Sequence, residues 1–480
     1  MVNYLHGIET LESNSILPGV SEVKSAVIGI VGTASCGPVN EPVLIQSAAD
    51  AAQFGDFAVD GLTSGFTLPY ALNAVREYGA GTIIAVNVFE PKTTSVTAVT
   101  VTNEIAAFEE GSAQLAHTAV SEVVVKSTDG ETTYTADTDY ELDAAQGLIT
   151  KVEEGGLATV ESVKVTYKYH QTVTVDRSPS DVTNADIIGT VGANGRRTGA
   201  QAFLDCFSRF GFNPKILIAP GFSQEAGVHN ALLTLAETLR AVVLIDMPAG
   251  LSVTDAIAAR NPSGAYNIVS DRAMLLYPHL LHYDIQTDAN QLMPYSAAMA
   301  GLIAKTDHDY GYWYSPSNRL LTNVTGLENH ITSSYSDASS EVQRLNEKGI
   351  TSVLNAYGTG YRAYGNRLTN SIGSDGLESF LTTRRVCDMI AEALEQTMAQ
   401  FIDLPLTAPI INDIITVGSS YINTLKNRGA VVGGRCYVHP TENTADTLAK
   451  GRLHIVYEYN PPAPLERISQ TLVLTNRYYE

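Results

Sequence analysis

Short runs built almost wholly from apolar residues, set apart by stretches of helical spacing, constrain this chain more than any other feature. Ala26–Gly32 (AVIGIVG) and Thr82–Val88 (TIIAVNV) bracket a stretch in which Leu68, Leu72 and Val75 fall at helical spacing. Lys215–Pro220 (KILIAP) and Ala241–Asp246 (AVVLID) bracket another, with Leu232, Leu235 and Leu239. Such runs read as buried strands. Strand, helix, strand with long crossovers predicts an α/β unit whose sheet is at least partly parallel.

Between these two pairs the pattern changes. From Pro91 to about Ser180 the chain is rich in Thr, Val and Tyr and carries the turn pairs Asp129-Gly130 and Gly155-Gly156. Val163, Val165, Tyr167 and Tyr169 alternate with Lys164, Thr166 and Lys168, which puts the apolar set on one face of a strand. Residues 91–180 hold six basic and fourteen acidic side chains, a balance that suits a solvated β-rich domain inserted as an outward decoration. Because the α/β pattern resumes afterwards, 21–90 and 181–358 are expected to form one split α/β domain.

The last part has its own grammar. Asp375-Gly376-Leu377-Glu378 reads as a capping-box variant opening a long helix. On that helix Leu377, Phe380, Cys387, Ile390, Leu394 and Phe401 form one side, with Arg385, Glu392 and Gln396 on the other. Pro405 and Pro409 punctuate the join to a second helix ending near Arg428-Gly429, where glycine suits a left-handed position. Strand-like stretches follow at Leu453–Tyr459 and Leu472–Asn476, separated by Pro461-Pro462-Ala463-Pro464. Prolines stop ladder pairing, so the last strand is expected to leave its own sheet. The expected fold class is therefore multidomain α/β and α+β: the split core, the 91–180 insert, a C-terminal α+β domain at 359–465, and arms at 1–20 and 466–480.

Composition narrows the function. At 480 residues, 44% hydrophobic and 17% charged, the chain has enough apolar content for large packed cores. A net charge of −21 argues against a protein that tracks nucleic-acid phosphates. Cys36, Cys206, Cys387 and Cys436 are far apart and form no metal-ligand spacing, as expected of reduced thiols. No run is long enough to span a membrane, and Met1–His6 lacks the start of a signal peptide, so a cytoplasmic origin is expected.

Enzyme chemistry finds little purchase. Gly29-Ile30-Val31-Gly32 lacks the spacing of a dinucleotide loop, and the glycines of Asp186–Arg197 lack the Gly-Lys ending of a phosphate loop, leaving that stretch as a flexible connector. His279, His282 and Asp284 lack a reliable third ligand, and Asp307-His308-Asp309 has no nucleophile beside it. Tyr312, Trp313 and Tyr314 read as packing aromatics. No catalytic residue, metal site or cofactor is expected.

Four segments in order, His6-Gly7-Ile8-Glu9, Gly311–Asn318 (GYWYSPSN), Gly360–Arg367 (GYRAYGNR), and Tyr457–Tyr459 through Leu465-Glu466, resemble the contractile tail sheath proteins of bacteriophages and related injection machines. The resemblance implies a structural subunit, stacked as hexameric rings around an inner tail tube and contracting to drive the tube through a cell envelope. It implies a virion tail location after assembly in the host cytoplasm. The implied partners are further copies of the chain, the tube protein, and baseplate and tail terminator proteins. It also implies that the terminal arms, at Ile8 and at Leu472, Val473 and Leu474, add strands to neighbouring subunits. The C-terminal domain would face the tube, with Lys426, Arg428 and Arg435 as candidate contacts and Arg384 with Arg385 as a rival basic pair. An α/β enzyme with an appended β-domain and a non-contractile structural or adhesive protein are the alternatives.

Overall fold

The computed structural model describes residues 23–55, 64–284, 287–355, 357–372, 376–475 and 477, with the backbone alone at 93–95 and 172–173. The chain divides into two compact units, Glu90–Ser178 and the remainder. The larger unit is built on a nine-stranded sheet. Its strands in chain order are β1 (Val27–Gly32), β2 (Val43–Ile45), β3 (Thr82–Asn87), β4 (Ile216–Ile218), β5 (Val242–Asp246), β6 (Ala273–Leu276), β7 (Arg319–Leu320), β8 (Ile350–Leu354) and β9 (Arg362–Tyr364). In space they run β7-β9-β8-β6-β5-β4-β1-β3-β2. The neighbours from β8 to β3 pair in parallel, and the pairings at both edges are antiparallel.

Side-chain parity explains why β1 is apolar throughout. Ile28 and Ile30 enter a core shared with helix α1 (Leu68–Arg76), whereas Val27 and Val31 enter the opposite core, shared with helix α2 (Ala226–Leu239). A third helix, α3 (Tyr295–Asp309), lies on the α1 side and is buried along most of its length. It lies close because Gly301 faces Tyr78; a Cβ there would sit 2.4 Å from the ring. The helix starts after Pro294 without a side-chain cap of its own, and the buried Asp246 carboxylate at the end of β5 accepts from Ser296 N at 2.7 Å instead.

The stretch read as a flexible connector is ordered. Thr183 and Asp186 form a capping box on the short helix Asn184–Ile188, and the chain then crosses itself at Gly189 and Gly199. A Cβ on Gly189, which has φ +74°, would lie 1.8 Å from the Thr198 carbonyl oxygen, so this glycine serves a backbone crossing.

One expectation for the C-terminal region is corrected. The long helix, α4 (Leu381–Met398), begins at Leu381, after a 3-10 turn at Leu377–Ser379, and Asp375 lies outside the described residues. The helix starts late because the preceding backbone pairs elsewhere: Leu368 N donates to Ser379 O at 2.7 Å and Leu381 N to Asn366 O at 3.0 Å. The polar side of α4 faces the α/β core. Arg384, Asp388, Glu392 and Glu395 recur at helical spacing and meet Asp271, Arg272, Lys215 and Arg240 of the α/β core, while Arg385 is buried against Asp307. Burial lowers the Lys215 pKa, and the Glu392 carboxylate works against that shift. The second helix, α5 (Ala408–Arg428), ends as its sequence predicts, on Gly429 at φ +83°. A two-stranded sheet follows, β10 (Gly433–Val438) with β11 (Ile455–Asn460).

The smaller unit is all β. Lys92–Ala107 and Ser162–Asp176 form a long antiparallel ribbon whose inner face buries Val163, Val165 and Tyr167. Lys92 opposes Asp176, and Arg177 N donates to Pro91 O at 2.8 Å, so the unit's two ends are already joined. Replacing 93–175 by a short Gly/Ser turn is expected to leave the larger unit folded, with its circular-dichroism spectrum and melting intact. Aggregation of that chain would show that the β unit completes the main core.

Candidate functional site

The two aromatic motifs meet at the edge of the large sheet. Gly311–Asn318 runs from the end of α3 into β7, and Gly360–Arg367 contains β9, which pairs with it through Arg319 and Ala363. Asn318, in the left-handed region at φ +60°, donates its N–H to Ala363 O at 2.6 Å. Gly365 N donates to Ser317 Oγ at 3.0 Å, and Arg362 Nη1 to Asn318 O at 3.0 Å. These bonds fasten one motif to the other. Tyr312 sets its ring edge-on to Trp313 at 5.0 Å, and both pack on the cluster formed by α4 and α5 around Val386, Ile390 and Leu425. Tyr312 and Trp313 pack as their sequence context predicts, whereas Tyr314 is 46% exposed and lines the neighbouring groove.

The Pro-rich segment joins them. A groove of about 1150 Å3 is lined by Trp313, Tyr335, Tyr364 and Arg367 from the motif side and by Pro462–Glu466 and Ile468 from the tail. Pro461 is buried where β11 ends. At Glu466 the carboxylate receives a two-pronged ion pair from Arg367, Nε to Oε1 at 2.9 Å and Nη2 to Oε2 at 2.7 Å. Beyond Glu466 the tail enters no ladder of the described chain, and Leu472, Val473 and Leu474 are 95%, 77% and 103% exposed. Ile8 lies outside the described residues.

The candidate tube contacts have different surroundings. Lys426 is exposed on the last turn of α5. Arg428 places its guanidinium 5.4 Å from the Trp313 ring. Arg435 pairs across the β10–β11 ladder with Glu458 at 2.7 Å. The rival pair, Arg384 and Arg385, is engaged with Asp271, Asp388 and Asp307.

The imagined metal cluster is dispersed. His282 faces Glu77, and the hydrogen bond between them holds its pKa above the ordinary histidine value. His279 lies 3.8 Å from Glu328, and Asp284 accepts from Thr287 at 3.0 Å. Among the described residues no group of three ligating side chains could hold a metal ion.

Residues 181–369 match the family model of the phage tail sheath protein central domain, and 375–475 match that of the phage tail sheath C-terminal domain. The tail sheath protein of Burkholderia phage BcepMu is 40% identical over 99% of this chain and 98% of its own length. The chain belongs to the contractile phage tail sheath family. It is a structural subunit of a contractile sheath. A putative prophage major tail sheath protein of Pseudomonas aeruginosa is 33% identical over 61% of this chain and 73% of its own length. The sheath of an extracellular contractile injection system in its contracted state superposes with a TM-score of 0.59 at 16% identity, covering 100% of this chain and 99% of that one. The contracted helical sheath of the anti-feeding prophage gives 0.59 at 17%, covering 99% of this chain and 100% of that one. Both likenesses are of fold. A third model, described as a protein of unknown function, matches 86–179, nearly the bounds of the smaller unit of this sheath subunit.

What reading the sequence missed is the convergence of three motifs on one groove and the ion-pair seam of α4. The seam had a signal, since Arg384, Asp388, Glu392 and Glu395 share a helical stripe, but charge on a stripe ordinarily marks solvent.

Proposed function

We propose that this sheath subunit polymerises as a helical stack of hexameric rings around an inner tail tube, and that contraction of the stack drives the tube through a cell envelope. In this reading the polymer sits in the virion tail, assembled in the host cytoplasm, with baseplate and terminator proteins at its ends. The split α/β domain forms the wall, the 91–180 insert faces outward and the 359–465 region faces the tube. The observation that supports it most is the tail: three consecutive apolar side chains, Leu472–Leu474, almost fully exposed on a backbone with no strand partner among the described residues. Such a segment gains ladder bonds and apolar cover by joining a neighbour's sheet. The β10–β11 pair has unoccupied edges among the described residues and offers an acceptor. Head-to-tail exchange of this kind propagates a helix when it does not close into a ring. Negative-stain images of the purified protein test the reading: tubes or stacked rings are expected, and uniform compact particles would end it.

For the tube contact, Lys426 is the leading candidate, followed by Arg428. Reversing both charges is expected to weaken decoration of tubes several-fold, more at low salt than at high salt, while sheath self-assembly persists. Normal decoration at low salt would move the contact elsewhere on the subunit.

A further inference from the structure

We propose that Arg367 and Glu466 form a clasp that fixes the point from which the C-terminal arm leaves the subunit, an inference that rests on the strand-exchange reading above. Among the described residues the last one held in a ladder is Asn460, paired with Gly433. If the arm were loose from there, the whole segment after Asn460 would sweep the space around the subunit. The chain instead runs through Pro461, Pro462 and Pro464, which hold it extended, and is caught again at Glu466. The catch is well supported. Arg367 presents a planar fork that matches the carboxylate in a bidentate pair, its guanidinium lies 4.8 Å from the Phe380 ring, and Nη1 donates to Ser379 Oγ at 3.4 Å.

Arg367 is also the last residue of the second motif, whose strand β9 lies next to the edge of the large sheet, and its backbone bridges to Phe380. The clasp therefore ties the root of the arm to the α/β core, some distance along the chain from the hairpin that precedes it. The point of departure moves six residues along the chain, from Asn460 to Glu466, which shortens the free segment by roughly 20 Å when extended. A shorter arm with a fixed root spends more of its time near its acceptor, which raises its effective concentration there without any new contact. In this account the GNR end of the second motif is a positioning element for polymerisation, and Arg367 acts through Glu466 without touching the neighbour.

The test compares Glu466→Arg, Arg367→Glu, the double charge swap, Arg367→Lys and a chain ending at Arg467. One readout is the lowest protein concentration that yields sedimenting tubes. The other is the fluorescence of Trp313, the chain's one tryptophan, which lines the same groove as the tail root. Each reversal is expected to raise the threshold roughly fivefold and shift the emission, an effect in keeping with one partly exposed bidentate pair. Arg367→Lys keeps the charge but loses the fork and should fall between. The double swap should return the threshold to within about twofold of the wild type. Because Glu466 lies on the exposed tail, its reversal leaves the core intact. Single reversals that polymerise like the wild type, or a swap no better than either single, would overturn the clasp while leaving strand exchange standing. Tubes from the chain ending at Arg467 would overturn strand exchange itself.

Discussion

A chain ending at Arg467 is expected to fold and melt like the full-length subunit yet to form no tubes. The described apolar residues of the deleted stretch lie outside the cores: Ile468 is 69% exposed, and Leu472, Val473 and Leu474 more so, so no cavity opens when they go. In the proposed polymer the balance differs. A strand joining a neighbour's sheet adds several hydrogen bonds worth about 0.5–1.5 kcal/mol each. It also covers apolar side chains worth about 1.5–3 kcal/mol each when fully buried. Even after the cost of ordering the strand, losing a few kcal/mol at every link weakens each contact by orders of magnitude. Sedimentation and electron microscopy of the truncated chain, alongside its thermal melt, give the result. Long tubes from a well-folded truncated chain would refute the exchange.

Replacing Asp307 by alanine is expected to destabilise the subunit by about 3–5 kcal/mol, the ordinary cost of stranding one partner of a buried ion pair. Asp307 and Arg385 are 3% and 4% exposed. The carboxylate accepts from Arg385 Nη1 at 2.7 Å and from Ser25 Oγ at 2.7 Å, and Arg385 Nη2 also reaches Ser25 O at 3.1 Å. One cluster thus holds the entry of the chain, the end of α3 and the face of α4 together. Arg385→Ala should cost as much, whereas Asp307→Leu with Arg385→Met should cost far less, since no buried charge is then left alone. Urea unfolding midpoints measure all three. A loss below about 1 kcal/mol for Asp307→Ala would mean that water reaches the stranded guanidinium and that the seam between α4 and the core is loose.

The contrast between Arg385 and Ile28 shows how far the sequence could be read. Ile28 sits in a run that is apolar at every position, and only a strand covered on both faces accommodates that, so β1, β3, β4 and β5 were legible from composition and length alone. The ribbon of the smaller unit was legible through the strict alternation at Val163–Tyr169. Arg385 was assigned to the wrong surroundings because a charged residue announces its need for a partner but not where the partner is; Asp307 lies 78 positions earlier. The start of α4 was misplaced for a similar reason. Asp375-Gly376-Leu377-Glu378 has local capping character, yet the backbone that follows is taken up by pairing with the second motif, a contact that no local pattern encodes. The motifs themselves were recognisable as segments, while the groove they build with Pro462–Glu466 depends on where three distant stretches meet.

The join between Lys92 and Asp176 has a consequence for what such a subunit can carry. Two residues facing each other across an antiparallel pair stand roughly 5 Å apart, so the larger unit offers a doorway into which any module with neighbouring ends can be spliced. Whatever passes through that doorway is copied at every position of a lattice of identical subunits. A single graft, a binding loop or an enzyme, would become a regular array whose spacing is set by the scaffold and whose chemistry is free to vary from one tail to the next.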